Sequence, residues 1–197
     1  MNSHQLEDNL LVIRTLMERS AMYQRAVRPI LILAGGVGTA AAVAGYFLQP
    51  PFVIYWMSIA VVVLAGAFYL SRRQALRDGE KFWSPPAKRV GVAMLPMMVV
   101  GLGGTVIVWI PSDCHAITVL FWLMLYGCAL HSAGMFAPVR LRVLGWVCTI
   151  SGLLLLASIR IPIPNIPAHR EYEMMGFFFG ILHLIFGLIP ARAATKE

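Results

Sequence analysis

Charge is scarce in this chain. Asp, Glu, Lys and Arg make up 13% of its 197 residues, while hydrophobic residues make up 59%. A soluble domain carries about 25% charged and about 45–50% apolar residues. The shortage excludes a disordered chain and a soluble globular enzyme, because an apolar excess of this size has to face lipid. Acidic residues are the rarest class, nine against sixteen basic, for a net charge of +7. Such a balance can mark a nucleic-acid partner. Here no basic run is interleaved with stacking aromatics, and the basic residues sit in short connectors between apolar runs, as membrane topology requires. Three cysteines, Cys114, Cys128 and Cys148, are too few for a disulfide framework. The last two lie inside apolar runs and read as small hydrophobes. The polar start, Met1 to Asn9, lacks the pattern of a cleavable signal peptide.

A further absence is the most informative. The sequence holds six apolar runs near the length of a transmembrane helix: Ile30–Leu48, Phe52–Leu70, Val90–Ile110, Ala116–Ala137, Val143–Ile159 and Met174–Ile189. None contains Asp, Glu, Lys or Arg. Ion- and proton-coupled transporters and voltage sensors place ionisable groups in the membrane, so those functions lose ground. A facilitator for a small neutral solute stays compatible. Prolines mark most of the breaks, and the Arg160–Pro167 stretch alternates Ile and Pro as an extended polyproline segment does.

Lys and Arg set the orientation. With both termini on one side, that side holds fourteen of them and the other side only Arg160 and Arg170. The split predicts both termini in the cytoplasm of a cell with an inner membrane. The expected fold is all-α: a polytopic membrane protein of six transmembrane helices arranged as three hairpins. Its expected parts are an N-terminal segment over 1–28, the bundle over 29–190 and a cytoplasmic tail over 191–197. Between Ser3 and Arg25, Leu6, Leu10, Ile13 and Met17 recur at helical spacing with charges around them, which predicts a cytoplasmic amphipathic helix. A solvated stalk with one apolar seam fits the same pattern.

Small residues predict how the spans pack. Ala34, Gly38 and Ala42 lie four apart, and the third span has Gly101 and Gly104, as close helix contacts need. The even spans are bulky, with Tyr55, Trp56, Phe68, Phe121, Trp122 and Phe177 to Phe179. This predicts small-faced odd helices at the centre, bulky even helices around them, and a kink at Pro96. The loop after the second span carries Arg72, Arg73, Lys81, Lys88 and Arg89 with Phe82 and Trp83, and suits an anionic membrane surface.

Two histidines remain in the membrane. Aligning the fourth and sixth spans on Pro138 and Pro190 superposes Leu130-His131 on Leu182-His183. Each imidazole then sits about 10 Å from the cytoplasmic helix end. Two histidines at matched depth can ligate the iron of haem b, another metal, a quinone or a polar headgroup. Each can equally bond a hydroxyl or carbonyl across a helix interface. Cys128, three residues before His131, shares its helix face. The outer residues Asp113, Cys114, His115, His169, Glu171 and Glu173 are of metal-ligand type but have no diagnostic spacing and read as solvated loop positions.

Three enzyme patterns fail. A rhomboid-type protease needs a GxSG serine near the outer end of the fourth span, whereas His131-Ser132-Ala133-Gly134 lies at the inner end. A phosphatidic-acid-phosphatase-type site needs its motifs on one membrane face. Pro111-Ser112-Asp113-Cys114-His115 and Arg28-Pro29 lie on opposite ones. Gly101-Leu102-Gly103-Gly104 lies within a helix and follows no strand. The sequence therefore points to a non-catalytic integral membrane protein. It would bind a partner or apolar ligand within the bilayer, as an oligomer or a subunit of a membrane complex. The alternatives are a haem or metal protein using His131 and His183, or a facilitator for a neutral solute.

Overall fold

In the computed structural model the apolar runs become six helices. Residues 27–77, 79, 85–109, 115–158 and 170–189 are described. The helices are α1 (Val27–Leu48), α2 (Phe52–Arg77), α3 (Pro85–Trp109), α4 (His115–Ala133), α5 (Val139–Ser158) and α6 (Arg170–Leu188). Each is long and apolar enough to cross a membrane, and the architecture is that of an all-helical, multi-pass membrane protein. The predicted amphipathic helix, Lys81 and the 191–197 tail lie outside the described residues.

Glycine decides which helices touch closely. A Cβ on Gly35 would sit 2.5 Å from the Leu184 backbone nitrogen, and one on Gly38 would sit 2.5 Å from the Phe179 carbonyl oxygen. The fit is reciprocal, since a Cβ on Gly180 would lie 2.8 Å from the Thr39 nitrogen. Gly45 lies against Tyr172, Gly176 against Ala42, and Gly187 against Ile32. Rising positions on α1 meet falling positions on α6, so the two helices run antiparallel at backbone contact. Hydrocarbon solvent gives no hydrophobic drive between helices, and such close packing is what holds them. The α4–α5 hairpin repeats the device, with Gly127 and Gly145 facing each other's carbonyl oxygens and Gly152 against Met124.

Two apolar clusters fill the remaining space. One joins Leu31, Leu123, Leu130, Leu144, Cys148 and Leu182, from α1, α4, α5 and α6. The other joins Ala41, Ala42, Phe52, Trp56, Val119 and Tyr172, from α1, α2, α4 and α6. Thus α1, α4 and α6 run through both clusters. Helices α2 and α3 are flanks, with far less of their apolar length buried than α4 and α6.

This corrects the expected arrangement of odd helices inside and even helices outside. Helix α3 is peripheral although rich in glycine, because two of its glycines act as sockets. Gly101 receives the Trp122 ring and Gly104 the Phe121 ring, so α4 is held at side-chain distance. Trp122 Nε1 donates to Thr105 Oγ1 at 2.7 Å, and that hydroxyl donates to the Gly101 carbonyl at 2.8 Å.

The ends differ from the expected bounds for local reasons. Helix α2 continues to Arg77, one and a half turns or more beyond its apolar run. Helix α4 stops at Ala133 rather than Ala137, where turns tighten through Met135 N–H to Ser132 O and Phe136 N–H to Ala133 O. Gly134 lets that turn press on the start of α5, as its Cβ would lie 2.8 Å from the Arg142 nitrogen. Gln49 takes a positive φ of 46° to end α1 ahead of Pro50 and Pro51. At the other end Arg28 Nε donates to the Gly187 carbonyl at 3.1 Å and Arg140 Nη1 to the Ile189 carbonyl at 3.4 Å. Cations there satisfy the open carbonyls of α6 and place its end beside the start of α1.

The glycine contacts predict a contrast. Gly38→Ala puts a methyl group against the Phe179 carbonyl and lowers the unfolding free energy by about 1–3 kcal/mol. Gly103→Ala meets nothing within 4 Å, and its better helix propensity leaves it neutral or up to about 1 kcal/mol more stable. Chemical unfolding in detergent separates the two, and equal stabilities would contradict the contact.

Candidate functional site

The most buried histidine among the described residues is His183, 1% exposed, on α6. It follows a distortion of that helix. Gly176–Ile181 is a π-helical turn, in which the Leu182 N–H reaches back five residues to the Phe177 carbonyl. A π turn inside a helix disturbs the regular pairing of backbone groups, and in hydrocarbon every such group needs a partner. His183 adds a side-chain partner at this turn. Its Nδ1 lies 2.9 Å from the Phe178 carbonyl oxygen, five residues back.

That contact fixes the tautomer. A carbonyl only accepts, so Nδ1 carries the proton, and in a neutral imidazole Nε2 is then the acceptor. Tyr126 of α4 lies 2.7 Å from Nε2 and donates its hydroxyl proton to it. The Phe179 ring stacks on the imidazole at 6.2 Å and 15°, and Tyr126 meets Phe179 at 5.2 Å. A chain of two hydrogen bonds therefore runs from α4 through His183 to the α6 backbone, inside an aromatic wall.

His131 is placed differently. Its ring meets Trp146 of α5 edge-on, at 5.1 Å and 66°. It lies five residues after Tyr126, which puts the two side chains about 140° apart around α4. The structure therefore gives the two histidines separate partners, His131 toward α5 and His183 toward α4. The helix ends differ too, because α4 stops at Ala133: His131 is about 3 Å from its helix end and His183 about 7.5 Å. The Nε2 lone pair of His183, the one a metal would need, is taken by Tyr126.

No family model, curated protein or solved structure matches this chain. The site is therefore read from its own geometry. Among the described residues no group of three His, Cys, Asp or Glu side chains converges as a metal site would need. Cys128 Sγ lies 4.0 Å from Thr149 Oγ1, on the α4–α5 contact. His115, at the start of α4, stacks on Phe52 at 5.1 Å, and Phe52 meets Tyr172 edge-on at 5.3 Å. Asp113, Cys114 and His169 lie outside the described residues. Of the predicted packing positions, Gly38 and Ala42 face α6, Gly101 and Gly104 face α4, and Ala34 is half-buried beside them. Arg72, Arg73, Lys88 and Arg89 are exposed.

Sequence reading missed Tyr126 and the π turn. One signal for Tyr126 was present, as a phenol in the middle of an apolar span must find a hydrogen-bond partner. Replacing it tests the chain of bonds. Tyr126→Phe leaves the buried His183 Nε2 without a donor and costs about 1 kcal/mol of stability, within the usual range of about 1–3 kcal/mol for an unsatisfied buried group. In 15N-labelled protein His183 keeps its Nδ1–H tautomer, and the Nε2 resonance moves when the tyrosine hydroxyl is removed. An Nε2–H tautomer in the wild-type protein would contradict the arrangement.

Proposed function

We propose that the protein is a non-catalytic membrane protein that associates with a second copy of itself within the bilayer, through the outward face of α1. Its basic end, with Arg28, Arg72, Arg73, Lys88, Arg89, Arg140 and Arg142, lies in the cytoplasm, which sets both termini there. The membrane is the inner membrane of the cell.

The observation that carries this reading is the face of α1 left open between its two neighbours. Gly35, Gly38 and Ala42 are used by α6, and Leu33 and Ala41 by α2 through Gly66 and the Tyr55 hydroxyl. Gly36, Ala40, Val43 and Phe47 fall on the remaining sector and are exposed. Among the described residues a Cβ on Gly36 would meet nothing within 4 Å. Gly36 and Ala40 are four apart, the small-xxx-small spacing that lets two backbones approach in lipid. The buried polar groups support a packing role over chemistry. His183 spends both ring nitrogens on holding α4 to α6, and Thr105 spends its hydroxyl between α3 and α4.

Disulfide trapping tests the reading. In a variant with Cys114→Ser, Cys128→Ala and Cys148→Ala, Ala40→Cys is expected to give a dimer-sized adduct in native membranes under mild oxidation. Val62→Cys, on the outward face of α2, is expected to give none. A lone monomer from Ala40→Cys would overturn self-association through this face.

A further inference from the structure

The extension of α2 beyond its apolar run carries a second feature. Phe68, Tyr69, Arg72, Arg73, Leu76 and Arg77 line a shallow crevice at the basic end of this helix. Tyr69, Arg73 and Leu76 follow one another at the four- and three-residue steps of a single helix face, with Arg72 and Arg77 beside them. All of these are exposed. Arg73 and Arg77 are four apart, and like charges at that spacing oppose helix formation unless an anion lies between them. The stretch 49–112 holds six basic residues and only two acidic ones, Asp78 and Glu80, so its charge is far from balanced internally.

We propose that this crevice binds the phosphate headgroup of an anionic phospholipid. Guanidinium groups match phosphate oxygens in a two-pronged fashion that a lysine does not. Tyr69 stands at the level where aromatic rings anchor to the membrane–water boundary. Toward the membrane centre the same face of α2 continues as exposed Val61, Val62 and Ala65, a smooth apolar track for an acyl chain. A basic cleft joined to an apolar track at the end of a spanning helix fits a lipid better than a free anion. A soluble phosphate would use only the arginines and leave the track without a role.

Native mass spectrometry tests this on the full chain in nonionic detergent, supplied with equal amounts of phosphatidylglycerol and phosphatidylcholine. The wild-type protein is expected to retain phosphatidylglycerol over phosphatidylcholine by roughly tenfold. The triple variant Arg72→Gln, Arg73→Gln, Arg77→Gln loses that preference, while Arg170→Gln at the opposite end keeps it. Each single Arg→Gln variant loses part of it, which keeps the test intact if the triple variant does not fold. Equal retention of the two lipids, or a preference unchanged in all the α2 variants, would overturn the proposal. Displacement of the lipid by inorganic phosphate at matched concentration would also overturn it and reassign the crevice to a soluble anion.

Discussion

Everything else in this bundle depends on the backbone contact between α1 and α6. Inside a bilayer the apolar side chains gain nothing by leaving lipid for protein, so a bundle needs some other reason to hold together. Here the reason is shape. Gly35 and Gly38 on one helix and Gly180 on the other remove the side chains that would keep the axes apart. The first and last spans then lie side by side. Their contact brings Arg28 onto the carbonyls at the end of α6 and gives the middle of the chain a fixed wall to pack on. Helix α4 is the second element of that core, and α2 and α3 lean on the outside.

The π turn in α6 belongs to the same contact. Gly176 and Gly180, which lie within it, are the residues pressed against Ala42 and Thr39. A widened turn in lipid needs its backbone groups satisfied from within the protein. His183 meets that need with Nδ1, and Tyr126 completes the histidine's own requirement through Nε2. A polar residue in the membrane is thus explained by the helix geometry beside it. The same two bonds tie α4 to α6, so the distortion also provides a point of attachment.

Much of the fold was legible in the sequence because hydropathy and charge act over long stretches. Six spans follow from the hydropathy pattern and a basic end from the placing of Lys and Arg, and Gly38, Ala42, Gly101 and Gly104 lie on close helix contacts. The partners were not legible. The stripe Ala34, Gly38, Ala42 keeps a strict four-residue spacing, whereas the contact face is Gly35, Gly38, Ala42 and Gly45, whose steps alternate three and four. Glycine content marked α3 as central, but a glycine can admit a neighbour's ring as readily as its backbone, and Trp122 and Phe121 took that option. The pairing of His131 with His183 rested on matched distance from two prolines. In the structure His131 meets Trp146 of α5 and His183 meets Tyr126 of α4, because position around a helix matters as much as depth.

The central claim is that α1 and α6 touch backbone to backbone. A Cβ on Gly176 would lie 2.5 Å from that of Ala42, about 1 Å closer than the Cβ atoms of a disulfide, so a slight parting of the two helices brings a cysteine pair to bonding distance. In a chain freed of Cys114, Cys128 and Cys148, the pair Ala42→Cys and Gly176→Cys is the direct test. The account predicts rapid, nearly complete internal crosslinking in membranes under mild oxidation, matching the pair Met124→Cys and Gly152→Cys on the α4–α5 hairpin. Crosslinking of the hairpin pair without the α1–α6 pair would contradict it.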